Sequence, residues 1–244
     1  HVTRYIQPGL ELISLDPKRS ATIIGKETFS SEEMMRDAAI RCATDMGLAN
    51  QTGCSSARVV LVESGTDDEG VAKLRGFGEM IFAALHTLPT CISTPTKRFD
   101  PELRAEIQAL RSTPDFYDVI GCRGDEGGVI VSKLDEVVDF YPSLSGRVIN
   151  LVPLDDVRDA ARFVNGYTQT IGIYPEKLKL ELRDELPLYG AQRFVTLGYA
   201  MTSNPGLPQD AIEPLRRMVK WIVDEHCPVE TCPPMWKYEM AEVA

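Results

Sequence analysis

The chain has 244 residues, of which 43% are hydrophobic and 25% charged, and carries a net charge of −10. Those proportions belong to a globular protein long enough for one large core, or for one domain with an appended arm. An acidic balance without any basic run argues against a nucleic-acid partner or an anionic membrane surface, and no apolar run approaches the roughly 20 residues of a membrane span.

The first candidate strand is 9–15, Gly-Leu-Glu-Leu-Ile-Ser-Leu, closed by the turn Asp16-Pro17-Lys18. Ser20–Ile24 predicts a second strand, ending at Gly25. Ser30-Ser31-Glu32-Glu33 has the form of a capping box, with Ser30 as N-cap. A helix then runs to about Met46 with Gly47 placed to terminate it. Its stripe is Met35, Ala38, Ala39, Cys42 and Met46, so Cys42 is expected in the core.

Next comes the loop Asn50-Gln51-Thr52-Gly53-Cys54-Ser55-Ser56, followed at once by the apolar strand Ala57–Val62. A helix from Asp67 or Asp68 to about Leu88 carries Val71, Leu74, Phe77, Ile81 and Leu85 on one face. His86 near its end suits the helix dipole better than catalysis. Residues 89–99 connect to a helix capped by Asp100 with Pro101 at its first position. Strands are expected at 116–121 and 128–131, separated by the polar turn 123–127. Arg147–Val152 is nearly continuous apolar sequence, as in a parallel strand buried on both faces. Asp155 is placed to cap a helix over 156–165, with Val157, Ala160, Ala161 and Val164 inward. A strand at 168–174, a charged helix from Pro175 to about Leu186 and a strand at 193–197 follow. Residues 201–210 predict a polar linker and 211–225 a helix with Ile212, Leu215, Val219 and Ile222. Strands alternating with helices imply an α/β fold with a mainly parallel sheet and flanking helices. Residues 1–200 form the expected cysteine domain, and 201–244 a C-terminal linker, helix and tail.

Six cysteines are scattered without the density of a disulfide scaffold, which points to a reducing cytoplasm. Cys54 is the strongest chemical candidate. Its small neighbours leave the sulfur reachable and free backbone N–H groups to face an oxyanion. An ordinary partly buried cysteine is the plain alternative. A Cys–His hydrolase has only His1, His86 and His226 to draw on. His226, Cys227 and Cys232 have loose spacing and no second pair, so no metal is expected. No glycine-rich dinucleotide loop or P-loop is present. His1 is an odd first residue, and no signal peptide follows it.

Gln51-Thr52-Gly53-Cys54-Ser55-Ser56-Ala57-Arg58-Val59 resembles the catalytic cysteine segment of aldehyde dehydrogenases. Four further segments are similar to the branch of acyl-CoA reductases that includes the fatty acid reductase of bacterial luminescence. They are Lys18–Ile24, Tyr141–Arg147, Tyr167–Tyr174, and Gly190–Arg193 through Leu197-Gly198; the last leads into Trp221–Glu225, which also fits. The resemblance implies that Cys54 attacks a fatty acyl-CoA, forms an S-acyl enzyme and, with NADPH as hydride donor, releases an aldehyde. It implies the Cys54 backbone N–H as one oxyanion donor. Ser143 and Gly146 fall where the family's cofactor motif lies, but without its Glu-x-Phe-Gly-Pro residues. The water-activating glutamate of the hydrolytic relatives is replaced by Ser14, with Glu11 out of register, which disfavours release of the acid. Pro208-Gln209-Asp210-Ala211 stands where the branch has Pro-His-Asp-Gly.

In this superfamily most of the cofactor domain precedes the cysteine domain. The resemblance therefore implies a missing N-terminal cofactor domain, and little reductase activity for the fragment alone. Homo-oligomer formation is compatible with it. Two other functions stay open: an acylating or hydrolytic aldehyde dehydrogenase, and a non-catalytic subunit of an acyl-reducing complex. Trapping an acyl group on Cys54 separates enzyme from scaffold.

Overall fold

The structure is a computed structural model that describes residues 2–15, 17–202, 204, 206–225 and 230. The chain divides into two units, Ser14–Ile212 and a smaller one formed by His1–Ile13 with Glu213–Ala244. The larger unit holds a seven-stranded sheet in the order β3-β4-β5-β2-β1-β6-β7. The strands are β1 (Arg19–Ile24), β2 (Ala57–Val62), β3 (Tyr117–Gly121), β4 (Gly128–Ser132), β5 (Val148–Pro153), β6 (Thr168–Tyr174) and β7 (Arg193–Thr196). Every neighbouring pair is parallel except β3 with β4.

Side chains alternate across a strand, so two apolar sets on one strand can serve two cores. Ile24, Val60, Val62, Ile149 and Leu151 face the helices α1 (Glu32–Gly47) and α2 (Asp68–Thr87), where they meet Met46, Leu74, Phe77 and Ile81. Ile23, Val59, Leu61, Val152 and Ile173 face the other way, against Val157, Ala160 and the helix α4 (Glu176–Leu182). Helix α3 (Pro101–Leu110) closes a third cluster with Leu103 and Ile107. Buried on both faces, the central strands look continuous rather than alternating in sequence.

Several expectations need correction. Residues 9–15 are not a strand: both sides of β1 are taken by β2 and β6, and Leu10, Leu12 and Leu15 are exposed. Alternation alone gives no edge to pair with. The N-cap of α1 is Ser31, whose hydroxyl accepts from the Met34 N–H at 3.2 Å; Ser30 ends a preceding 3-10 turn. Gly47 stays helical, and a side chain there would press on Ser93 and the Ile92 carbonyl. The segment expected as an α-helix at 156–165 is a 3-10 helix, Val157–Phe163, capped by Asp156. Asp155 instead accepts from the Thr66 N–H (2.8 Å) and hydroxyl. The charged helix stops at Leu182, before a 3-10 turn at Leu186–Tyr189. Of the helix expected over 211–225 only α5 (Pro214–Arg217) forms. Leu215, Val219 and Ile222 are 64%, 59% and 92% exposed, so no apolar face is buried to stabilise more turns. His226, Cys227 and Cys232 lie outside the described residues. No helix among the described residues is long and apolar enough to cross a membrane.

Candidate active site

Cys54 is exposed at the N-terminal edge of β2, in a turn closed by the Ser56 N–H bonding to the Gly53 carbonyl at 3.2 Å. Three consecutive residues before it, Ala49, Asn50 and Gln51, have φ of 52°, 50° and 62°. Left-handed backbone costs a non-glycine residue about 1 kcal/mol or more, and it persists only where its surroundings over-determine it. Here Gln51 supplies the constraint. Its side chain is fully buried; Nε2 donates to the Ala57 carbonyl (3.0 Å) and the Val148 carbonyl (2.8 Å), and Oε1 accepts from the Val148 N–H (2.9 Å). The Arg58 guanidinium adds a bond to the Gln51 carbonyl at 3.1 Å.

The other side of the turn is fixed by an irregularity in β1. Its register shifts at Ser20–Ala21 against β2 and between Arg19 and Ala21 against β6. Such bulges free backbone groups for other partners. The Ser20 hydroxyl fills the gap, accepting from the Thr170 N–H (3.1 Å) and donating to the Cys54 carbonyl (2.7 Å). Beside it the Ser55 hydroxyl donates to Gln169 Oε1 at 3.1 Å, while Gln169 Nε2 donates to Asp210 Oδ1. Asp210 can only accept when ionised, so it sets which way the Gln169 amide points. The Cys54 backbone N–H has no acceptor among the described residues.

Two guanidinium groups, those of Arg58 and Arg193, interact with the Cys54 position. Burial, then the like charge of Arg19, lowers the proton affinity of Arg58; Cys54 acts in the opposite sense. Burial likewise lowers Arg193, opposed by Asp45 and then by Cys54. Both guanidinium groups are thus within Coulombic reach of a charge on Cys54.

Two cavities touch the turn and a third lies behind Ser20. One of about 550 Å³ is lined by Ser55, Gln169, Arg193, Met201, Leu207 and Gln209, among others. A second, about 260 Å³, lies at Asn50, Thr52, Phe99, Ser145 and Gly146. A third, about 220 Å³, holds Arg19, Ser20, Tyr141, Phe163 and Tyr167. Gly146 is therefore brought to the Cys54 loop: its N–H donates to the Asn50 carbonyl at 3.2 Å. Its φ of 66°, and the Phe99 ring 2.9 Å from where a Cβ would stand, explain the glycine. Ser143 is the exposed last residue of a 3-10 turn, Tyr141–Ser143, and lines none of these three cavities.

Other candidates fall away from the turn. Cys42 is buried in the α1 stripe, and burial pushes its thiol well up. His86 Nδ1 lies 2.7 Å from the Phe82 carbonyl in the last turn of α2. Glu11 lies in the smaller unit, 3.8 Å from Arg217. No group of three metal-ligating side chains occurs among the described residues.

Sequence reasoning missed Asp45, a charge on the buried face of α1 one position before Met46. Its carboxylate accepts from the Gly198 N–H (2.8 Å) and the Ala200 N–H (3.0 Å). Burial pushes its pKa up from 3.8 to about 6, opposed by these two N–H groups and by Arg193 and Arg41. Folding therefore takes up a proton between about pH 4 and pH 6. The stability this group contributes is complete below pH 4 and is lost as pH rises through about 6. The interval corresponds to about 3 kcal/mol. The unfolding free energy of the wild type minus that of Asp45→Asn should fall by about 2 kcal/mol between pH 4 and pH 7 in urea titrations. A difference that stays flat across that range would show that Asp45 does not titrate this way.

The family profile described as acyl-CoA reductase (LuxC) matches residues 2–221. A long-chain acyl-protein thioester reductase from Aliivibrio fischeri is 24% identical over 225 residues, 91% of this chain and 43% of the relative. One from Photorhabdus luminescens is 35% identical over 81 residues, 33% of this chain and 17% of the relative. The chain thus spans less than half the length of these relatives. Among solved structures, γ-glutamyl-γ-aminobutyraldehyde dehydrogenase from Burkholderia cenocepacia aligns with a TM-score of 0.56 at 14% identity, over 78% of this chain and 40% of that one. An indole-3-acetaldehyde dehydrogenase in complex with NAD+ gives 0.53 at 14% identity, over 79% and 40%. The fold is that of an aldehyde dehydrogenase catalytic domain.

Proposed function

The chain belongs to the acyl-CoA reductase (LuxC) family, and from that membership we propose that it carries the cysteine half of a long-chain acyl-thioester reductase, with Cys54 as nucleophile. The observation that carries the reading is the Cys54 turn itself. An exposed thiol stands on a strained loop held by Gln51, Ser20 and Gln169, with two guanidinium groups in Coulombic reach.

The Cys54 sulfur attacks the carbonyl carbon of a fatty acyl thioester. A new C–S bond forms, the carbonyl electrons move to oxygen, and the Cys54 N–H stabilises that oxyanion. Collapse expels the carrier thiol, from CoA or from an acyl-bearing protein, and leaves the acyl group on Cys54. The 550 Å³ cavity is within the ordinary range for a ligand site and takes the chain. A nicotinamide cofactor fits the Asn50–Gly146 cavity: Asn50 Oδ1 is buried there without a partner and can accept from a bound amide or hydroxyl. We take the cofactor to be NADPH, which supplies the hydride when bound. Gly146 keeps the approach open, while Ser143 stands further out. Cys54 then leaves as a thiolate and the aldehyde departs.

Ser14, in place of the water-activating glutamate, supports reductive over hydrolytic release. Asp210, the carboxylate in the hydrogen-bond chain from Ser55, is engaged by Gln169. A free thiol at this position fits the reducing cytoplasm. The test is the identity of the product that the cysteine half releases, at the low rate expected of it alone, from a tetradecanoyl thioester and NADPH. Tetradecanal is expected; tetradecanoic acid as the main product would overturn the reductase reading.

A further inference from the structure

The turn Gly198–Thr202 walls the 550 Å³ cavity through Ala200, Met201 and Thr202. Two oppositely charged side chains hold it. Asp45 accepts from the Gly198 and Ala200 N–H groups at 2.8 and 3.0 Å. Arg193 donates to the Ala200 carbonyl at 2.7 Å and to the Thr202 carbonyl, and is braced by Thr170 Oγ1 at 3.3 Å. Ala200 thus has its N–H held by a carboxylate and its C=O by a guanidinium. Asp45 is only 1% exposed. A turn could satisfy the same backbone groups with water, and burying a charge is costly. The arrangement makes sense where the position of the turn matters.

What the turn positions is Met201. A Cβ at Gly53 would lie 3.2 Å from both Met201 Sδ and Cε, and Ser56 Oγ is 3.8 Å from Met201 Sδ. The thioether therefore lies directly on the Cys54 turn. Methionine is flexible and adapts to whatever it packs against, so this wall is only as fixed as the backbone carrying it.

We propose that Asp45 and Arg193 are positioning residues that set acyl-chain selectivity, by fixing Met201 against the Gly53–Ser56 turn at the mouth of the cavity. The inference rests on the reading of Cys54 as the acyl acceptor and adds what governs the length of chain accepted. A long chain must pass Met201 and fill the cavity. A short one reacts at the sulfur without reaching far along that wall. Loosening the turn should penalise the long chain selectively.

The experiment measures acylation of Cys54 by tetradecanoyl-CoA and by butanoyl-CoA, following the mass of the intact chain. The readout is the ratio of the two rates. In Asp45→Asn that ratio should fall about tenfold, because the side-chain amide can accept only one of the two N–H bonds. Arg193→Lys should give a smaller fall in the same direction, since one ammonium cannot reproduce the fork to two carbonyls; it also supplies the answer if Asp45→Asn does not fold. A merely structural role would slow both thioesters together and leave the ratio unchanged, and that result in folded variants overturns the proposal. Failure of wild-type Cys54 to accept either acyl group is a different outcome, which overturns the reading of Cys54 and this inference with it.

Discussion

Replacing Cys54 with alanine should abolish acyl transfer, lowering the rate at which label from a long-chain acyl thioester becomes protein-bound by about 10³-fold or more. The size follows from the chemistry: without the thiol no covalent intermediate forms, and the remaining loop can only bind. Four free cysteines lie among the described residues, and two of them are unsuited to the task. Cys42 sits in the α1 core with its thiol pushed well up by burial. Cys122 is buried and pushed up to about 12, again by burial. A buried, protonated thiol is neither reachable nor nucleophilic at neutral pH. Cys91 is exposed, yet it lies in the 89–99 connection, outside the turn that Gln51, Ser20 and Gln169 hold. Cys91→Ala should therefore retain the acylation that Cys54→Ala loses. The reverse pattern would move the nucleophile to Cys91.

Gln51→Ala should be the most damaging substitution for stability near the site, costing about 3–5 kcal/mol in urea unfolding with little change in the slope. Its buried amide makes three bonds, to the Ala57 carbonyl and to both backbone groups of Val148. Truncation leaves those three groups buried without partners, each at a cost of about 1 kcal/mol or more. It also removes the constraint on the left-handed run Ala49–Gln51, so the Cys54 turn can relax into ordinary backbone. Acylation should slow in the folded variant as well as stability falling. A loss below about 1 kcal/mol would mean that the amide is not the clamp that its geometry describes.

The sheet was largely legible because its strands are buried on both faces. Runs such as Val59–Val62 and Val148–Val152, the latter broken only by Asn150, are apolar, and local sequence suffices to mark them. The two long failures share one cause. The 9–15 alternation and the 211–225 stripe have the right local period, but the first has no strand to pair with and the second buries no face. Periodicity states what a segment could bury, not that anything receives it. At the site, Cys54 stood out by its small neighbours and by the resemblance. Gln51 and Ser20 were within the matched segments, but their work was invisible: Gln51 holds Val148 across 97 residues, and Ser20 links to Cys54 across 34. Asp45 was missed for the same reason, since its partners Gly198 and Ala200 lie 153 and 155 residues away. Its one local signal was a charge set into an apolar helix face.

By this mechanism the acyl group rests on Cys54 before reduction. The most direct measurement is to incubate the protein with tetradecanoyl thioester without reductant, digest it at mildly acidic pH, and locate the added acyl mass by peptide sequencing. The label should sit on the peptide containing Gly53-Cys54-Ser55 and be released by hydroxylamine, as a thioester is. Stoichiometric label on the Cys91 peptide, or on a hydroxyl that resists neutral hydroxylamine, would show that Cys54 is not the acyl carrier.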